Sequence, residues 1–183
     1  MEQTKKTALI CFWICIALMV FSLICNFVQS YIPFIDSIVF YGGAITYFVN
    51  CNKYYKEKAP FKLGIILFPI SFLICMICSF ISAQSAMLPY FVLFFSHCII
   101  DSIPFIKLKQ YYKGTNKKIA TAALLTAIAP FLYFFTNIIL ASLIRPSRFY
   151  ITIVISAFCL LYYGIYAWFY YTFFKHNKLT IIK

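Results

Sequence analysis

The chain has 183 residues, 64% of them hydrophobic and only 11% charged, with a mean hydropathy of +0.90 and a formal net charge of +12. A soluble domain carries roughly 25% charged residues, so this composition excludes a water-facing surface over most of the chain and points to lipid as the solvent. The basic excess does not argue for nucleic acid, because the lysines fall in short segments between apolar runs and leave no soluble module that could read a base.

Six apolar runs follow in order: Thr7–Val28, Tyr31–Cys51, Leu63–Ala83, Met87–Ile106, Ala120–Leu143 and Phe149–Phe174. Each approaches or exceeds the roughly 20 residues that cross a bilayer as a helix. None alternates polar and apolar positions as a membrane β-strand would. The expected fold is therefore all-α: one transmembrane helical-bundle domain over residues 1–183, with six spans in three hairpins. A four-span arrangement with two re-entrant segments is the alternative, since the second run holds Asp36 and Gly42-Gly43 and the fourth holds His97, Asp101 and Pro104. The first run follows the basic flank MEQTKK and is too long, with too bulky a sequel in NFVQSYIP, to be a cleaved signal peptide.

With six spans, 14 of the 16 basic residues fall on one side, and only Arg145 and Arg148 on the other. The lysine-rich side is expected to be cytoplasmic, with both termini there, in a plasma or bacterial inner membrane. The second, fourth and sixth runs end alike: Tyr54-Tyr55-Lys56, Tyr111-Tyr112-Lys113 and Phe173-Phe174-Lys175. An interfacial aromatic belt followed by a snorkelling lysine accounts for this pattern more simply than an internal repeat. In the fifth run Ala122, Ala123, Thr126 and Ala127 are small residues at helical spacing, which marks it for close helix packing.

Eight cysteines lie mostly inside the runs. Cys75 and Cys78 have C-x-x-C spacing, but they sit mid-span with no second pair, and small hydrophobe is the default role for such thiols. No metal site and no cofactor is expected. Ser96-His97-Cys98 is not a nucleophile with its base, because adjacent helical residues point about 100° apart, and no enzymatic activity is expected.

His97 and Asp101 lie one helical turn apart and share a face. An aspartate at a span centre costs roughly 2.5–3.5 kcal/mol on insertion scales. The pair is read either as a structural ion pair or as a proton- or ion-coupled site. If it is structural, replacing both members with apolar residues should restore folding, because nothing is left unpaired. Asn26, Asp36, Asn137, Arg145 and Arg148 fall near the opposite end from the lysines and are expected to form an outer polar cup. Six spans, this length and such a cup are similar to the vitamin-capturing substrate subunits of energy-coupled importers. The first span here, CFWICIALMVFSLIC, is bulky where theirs are rich in small residues.

Two function classes follow. The first is a non-enzymatic membrane-embedded interaction subunit that recruits a cytoplasmic protein at the inner membrane, in the manner of a small membrane component of a Kiwa-type phage-defence system or a toxin-immunity protein. Its contacts with that partner and with anionic phospholipid would be Lys53, Lys56, Lys58, Lys62, Lys107, Lys109, Lys113, Lys117 and Lys118, and the chain could self-associate. The second is a small-molecule or ion transporter or channel that uses His97 and Asp101.

Overall fold

A computed structural model describes residues 2–28, 35–55, 59–83, 87–142 and 148–176. They form six α-helices: α1 (Glu2–Val28), α2 (Ile35–Tyr54), α3 (Ala59–Ala83), α4 (Met87–Tyr112), α5 (Lys117–Ser142) and α6 (Arg148–His176). All six expected runs are helical over their described residues, and α2 and α4 are each a single unbroken helix. Five helices are long and apolar enough to cross a membrane. The sixth, α2, is the least apolar because it carries Asp36, Gly42, Gly43, Asn50, Asn52 and Lys53. Pro69, Pro104 and Pro130 are accommodated inside α3, α4 and α5.

Each helix packs on the next in sequence, and α6 returns to pack on α1, so the helices form a closed ring. Aromatic side chains of α2, α4 and α6 fill its centre. Phe40 meets Tyr166 at 4.8 Å between ring centroids, Tyr47 meets Tyr170 and Phe173 at 5.1 Å each, and Phe105 meets Phe169 at 5.1 Å. These contacts are edge-to-face, the arrangement the ring quadrupole favours. Two backbone approaches set the ring's width. Ala122, Ala123 and Thr126 are fully buried where α5 sits between α4 and α6, as small residues at a helix contact should be. Gly64 of α3 lies flat against Phe48 of α2, with no room for a methyl group between them.

The three aromatic-Lys segments behave differently from a lipid-facing belt. Tyr55, Tyr112 and Phe173 are buried. Phe173 lies 6.4 Å from Tyr55 and 6.2 Å from Tyr112, ring centroid to ring centroid. The shared pattern turns one aromatic of each segment inward and closes the lysine-rich end of the bundle. Outside the ring, Ile10, Trp13, Phe27, Ile66, Leu73, Phe80, Leu88, Val92 and Ile139 are exposed, so apolar surface is spread over several helices. A helix apolar all round suits lipid rather than water.

Candidate functional site

The centre is not packed along its whole length. Near the lysine-poor end, all six helices line a cavity of about 280 Å³. Asn26 of α1, Asp36 of α2 and Tyr90 of α4 stand near the helix ends; Tyr41, His97 and Pro130 lie deeper. Tyr90 and His97 are seven residues apart on α4, so the cavity reaches about 10 Å along the axis. Aromatic walls come from Phe21, Phe40, Phe94, Tyr133, Tyr162 and Tyr163, and thiols from Cys25, Cys75, Cys78, Cys98 and Cys159.

At its floor stands a four-residue polar cluster. His97 Nε2 lies 3.7 Å from Asp101 Oδ2, too far for a direct hydrogen bond. Tyr41 bridges them: its hydroxyl donates to Asp101 Oδ2 at 2.9 Å and lies 3.3 Å from His97 Nε2. Ser71 Oγ is 2.6 Å from His97 Nδ1. The tyrosine oxygen also lies 3.5 Å from Nδ1, so it faces both ring nitrogens and lines up with the N–H direction of neither. The Ser71 hydroxyl is also within bonding reach of Tyr41 and Asp101. The result is a compact cluster of four polar side chains across α2, α3 and α4. Ser71 and Asp101 are fully buried, while Tyr41 and His97 also form part of the cavity wall. Phe94, one turn before His97, stacks on the imidazole at 5.7 Å with planes 14° apart and fixes its tilt. Asp101 Oδ1 is buried with no hydrogen-bond partner.

A second set of bonds holds α4 in register with α5. Ser102 Oγ reaches both Cys98 O at 2.7 Å and Ala127 O at 2.6 Å, and Cys98 Sγ donates to Pro130 O at 3.3 Å. They cluster around Pro130, whose ring removes one backbone donor from α5. The Cys98 thiol is therefore directed at α5 and not at His97.

The expected outer cup is present in part. Asn26 and Asp36 line the cavity; Asn26 Nδ2 also donates to Ser156 Oγ of α6 at 3.4 Å, and Asp36 Oδ1 accepts from the backbone N–H of Ser37 at 2.9 Å. Arg145 lies outside the described residues, and so do the side chains of Asn137 and Arg148. Of the expected basic contacts, Lys53, Lys62, Lys107, Lys113, Lys117 and Lys118 are exposed and Lys109 is half-buried, whereas Lys56 and Lys58 lie outside the described residues. Cys75 and Cys78 form no disulfide and stand on the cavity wall, and Cys75 Sγ lies 3.8 Å from Ser37 Oγ. Among the described residues no three His, Cys, Asp or Glu side chains converge as a metal would need.

The sequence reading misses Tyr41 and Ser71. They are 56 and 26 residues from His97 in the chain, and tyrosine and serine are too common here to stand out. No protein-family model matches the chain, and no curated protein or solved structure matches it.

Proposed function

We propose that the chain is a six-span membrane protein that captures a small molecule in the cavity at its lysine-poor end, as a carrier or the capture subunit of one. One observation carries this reading: side chains from all six helices line one cavity, and the bundle's most deeply buried ionisable pair stands at its floor. Concave, mostly apolar sites with a few convergent polar groups are the usual form of a small-molecule site. Ionisable residues inside a membrane bundle are functional candidates by default. The aromatic walls suit a flat or apolar body, and His97, Tyr41 and Asp36 supply the polar contacts. The lysine-rich end is cytoplasmic in this reading, which makes the cavity outward-facing.

The test is a thermal-unfolding screen of small metabolites against the purified wild type and Ser37→Trp, whose indole would occupy the cavity. Compounds that stabilise the wild type and leave Ser37→Trp unmoved support the reading. A screen in which every stabilising compound acts equally on both proteins overturns it.

A second reading is favoured by the opposite end. There Lys53, Lys62, Lys107 and Lys113 are exposed at or near the ends of α2, α3 and α4, a surface suited to recruiting an acidic cytoplasmic protein. Replacing Lys107, Lys109, Lys113, Lys117 and Lys118 with glutamine should then release a co-purifying partner while insertion is unchanged. Retention of every partner by that variant counts against recruitment.

A further inference from the structure

A second cavity, of about 470 Å³, lies at the lysine-rich end between α5 and α6, apart from the first. It is lined by Lys117, Lys118 and Thr121 of α5 and by Trp168, Tyr171, Thr172, Lys175 and His176 of α6. We propose that this groove binds one anionic phospholipid of the adjacent leaflet.

Its lining is graded along the axis. Lys175 stands near the end of α6, Tyr171 one turn deeper, and Trp168 seven residues, or about 10 Å, from Lys175. Lys175 Nζ lies 5.8 Å from the centre of the Tyr171 ring, and Phe12 of α1 packs on that ring at 5.7 Å. Cations therefore stand at headgroup depth, an amphipathic ring below them, and an exposed indole at acyl depth. That order matches an amphiphile with a negative head and an apolar tail. The volume is in the range of organic-ligand pockets rather than that of a bare inorganic anion.

Among the described residues no acidic side chain lines the groove to offset these charges. Lys117 and Lys118 occupy the first turn of α5, where the helix dipole disfavours cations. A phosphate seated between them and Lys175 relieves both costs. The framework around it is fixed. Asn116 caps α5 by accepting from the backbone N–H of Ile119 at 3.2 Å, and its amide donates to the carbonyl of His176 at 2.7 Å, tying the start of α5 to the end of α6. Basic pockets between spans on the lysine-rich side are the form such lipid sites take.

The chain has two tryptophans, so Trp13→Phe leaves Trp168 as the sole indole. That protein is reconstituted in phosphatidylcholine vesicles doped with brominated phosphatidylglycerol or, separately, brominated phosphatidylcholine at equal mole fraction. The proposal expects at least threefold stronger quenching of Trp168 by the anionic lipid. Adding Lys117→Gln, Lys118→Gln and Lys175→Gln should equalise the two lipids; if that variant does not fold, Lys175→Gln alone should at least halve the preference. Lys53→Gln with Lys107→Gln and Lys113→Gln removes the same charge elsewhere and should leave the preference intact. Equal quenching by both lipids overturns the proposal, and so does an equal loss in the distant-lysine variant, which would mean diffuse surface attraction. Inorganic phosphate at millimolar concentration should not compete. Abolition of the preference by phosphate alone would make this a free-anion site and would also overturn the proposal.

Discussion

Tyr41 and Asp101, 60 residues apart in the chain, are joined by a 2.9 Å hydrogen bond inside the bundle. This bond, rather than the 3.7 Å separation of His97 from Asp101, connects the histidine to the carboxylate. A polar residue from α2 thus completes what α4 begins. The pair that reads as self-contained on one helix is one end of a network over three.

Tyr41→Phe removes the hydroxyl that bridges the pair and takes one of its donors from Asp101. The expected loss is about 1–3 kcal/mol, the cost of an unsatisfied buried acceptor. Reversible unfolding in mixed micelles measures it, and an unchanged midpoint would show that the bridge contributes nothing.

The double replacement His97→Phe with Asp101→Leu should not restore stability, contrary to what the isolated pair suggests. It removes the His97 and Asp101 partners of two buried hydroxyls, Tyr41 Oη and Ser71 Oγ, and leaves them only each other. Adding Tyr41→Phe and Ser71→Ala removes these hydroxyls and should recover about 1–2 kcal/mol over the double variant. If the quadruple variant is less stable than the double, the network assigned to these four residues is wrong.

Gly64→Ala drives a methyl carbon into the Phe48 ring. Phe61, Phe68 and Phe105 hold that ring from other sides, so it has little freedom to turn aside. Overpacking of this kind costs about 1–3 kcal/mol. Gly42→Ala, whose methyl meets nothing within 4 Å, is the control. Equal effects of the two changes, read from thermal unfolding, would refute the close approach of α3 to α2.

Topology is tested by single cysteines in a background lacking the native eight. Gly114 is a better reporter than Asn116, because a side chain at Gly114 meets nothing within 4 Å while Asn116 caps α5. Gly114→Cys should resist an impermeant maleimide added outside intact cells, and Ser85→Cys, in the short connection before α4, should react. Outside labelling of Gly114→Cys would place the lysine-rich end on the wrong side.

The helices are legible in the sequence because span length and apolar composition are local properties. The small-residue face of α5 is legible for the same reason, since Ala122, Ala123 and Thr126 share one helical stripe. His97 and Asp101 stand out because ionisable groups are scarce in an apolar run. Tyr41, Ser71 and the groove at Trp168 are not legible, because each depends on which helices become neighbours. The aromatic-Lys endings mislead for a related reason. A tyrosine at a helix exit has the same sequence signature whether it faces lipid or turns inward, and Tyr55 and Tyr112 turn inward.

The inward rings have a consequence for any path along the axis. Below the polar floor a solute would have to part Tyr47, Phe48, Phe105, Phe169, Tyr170 and Phe173, six side chains with essentially no exposure. Tyr47 touches Phe169 and Phe173, and Phe105 touches Phe48 and Phe169, so no ring can swing aside without disturbing its neighbours. In this conformation the lysine-rich half of the bundle is plugged by its own aromatic core.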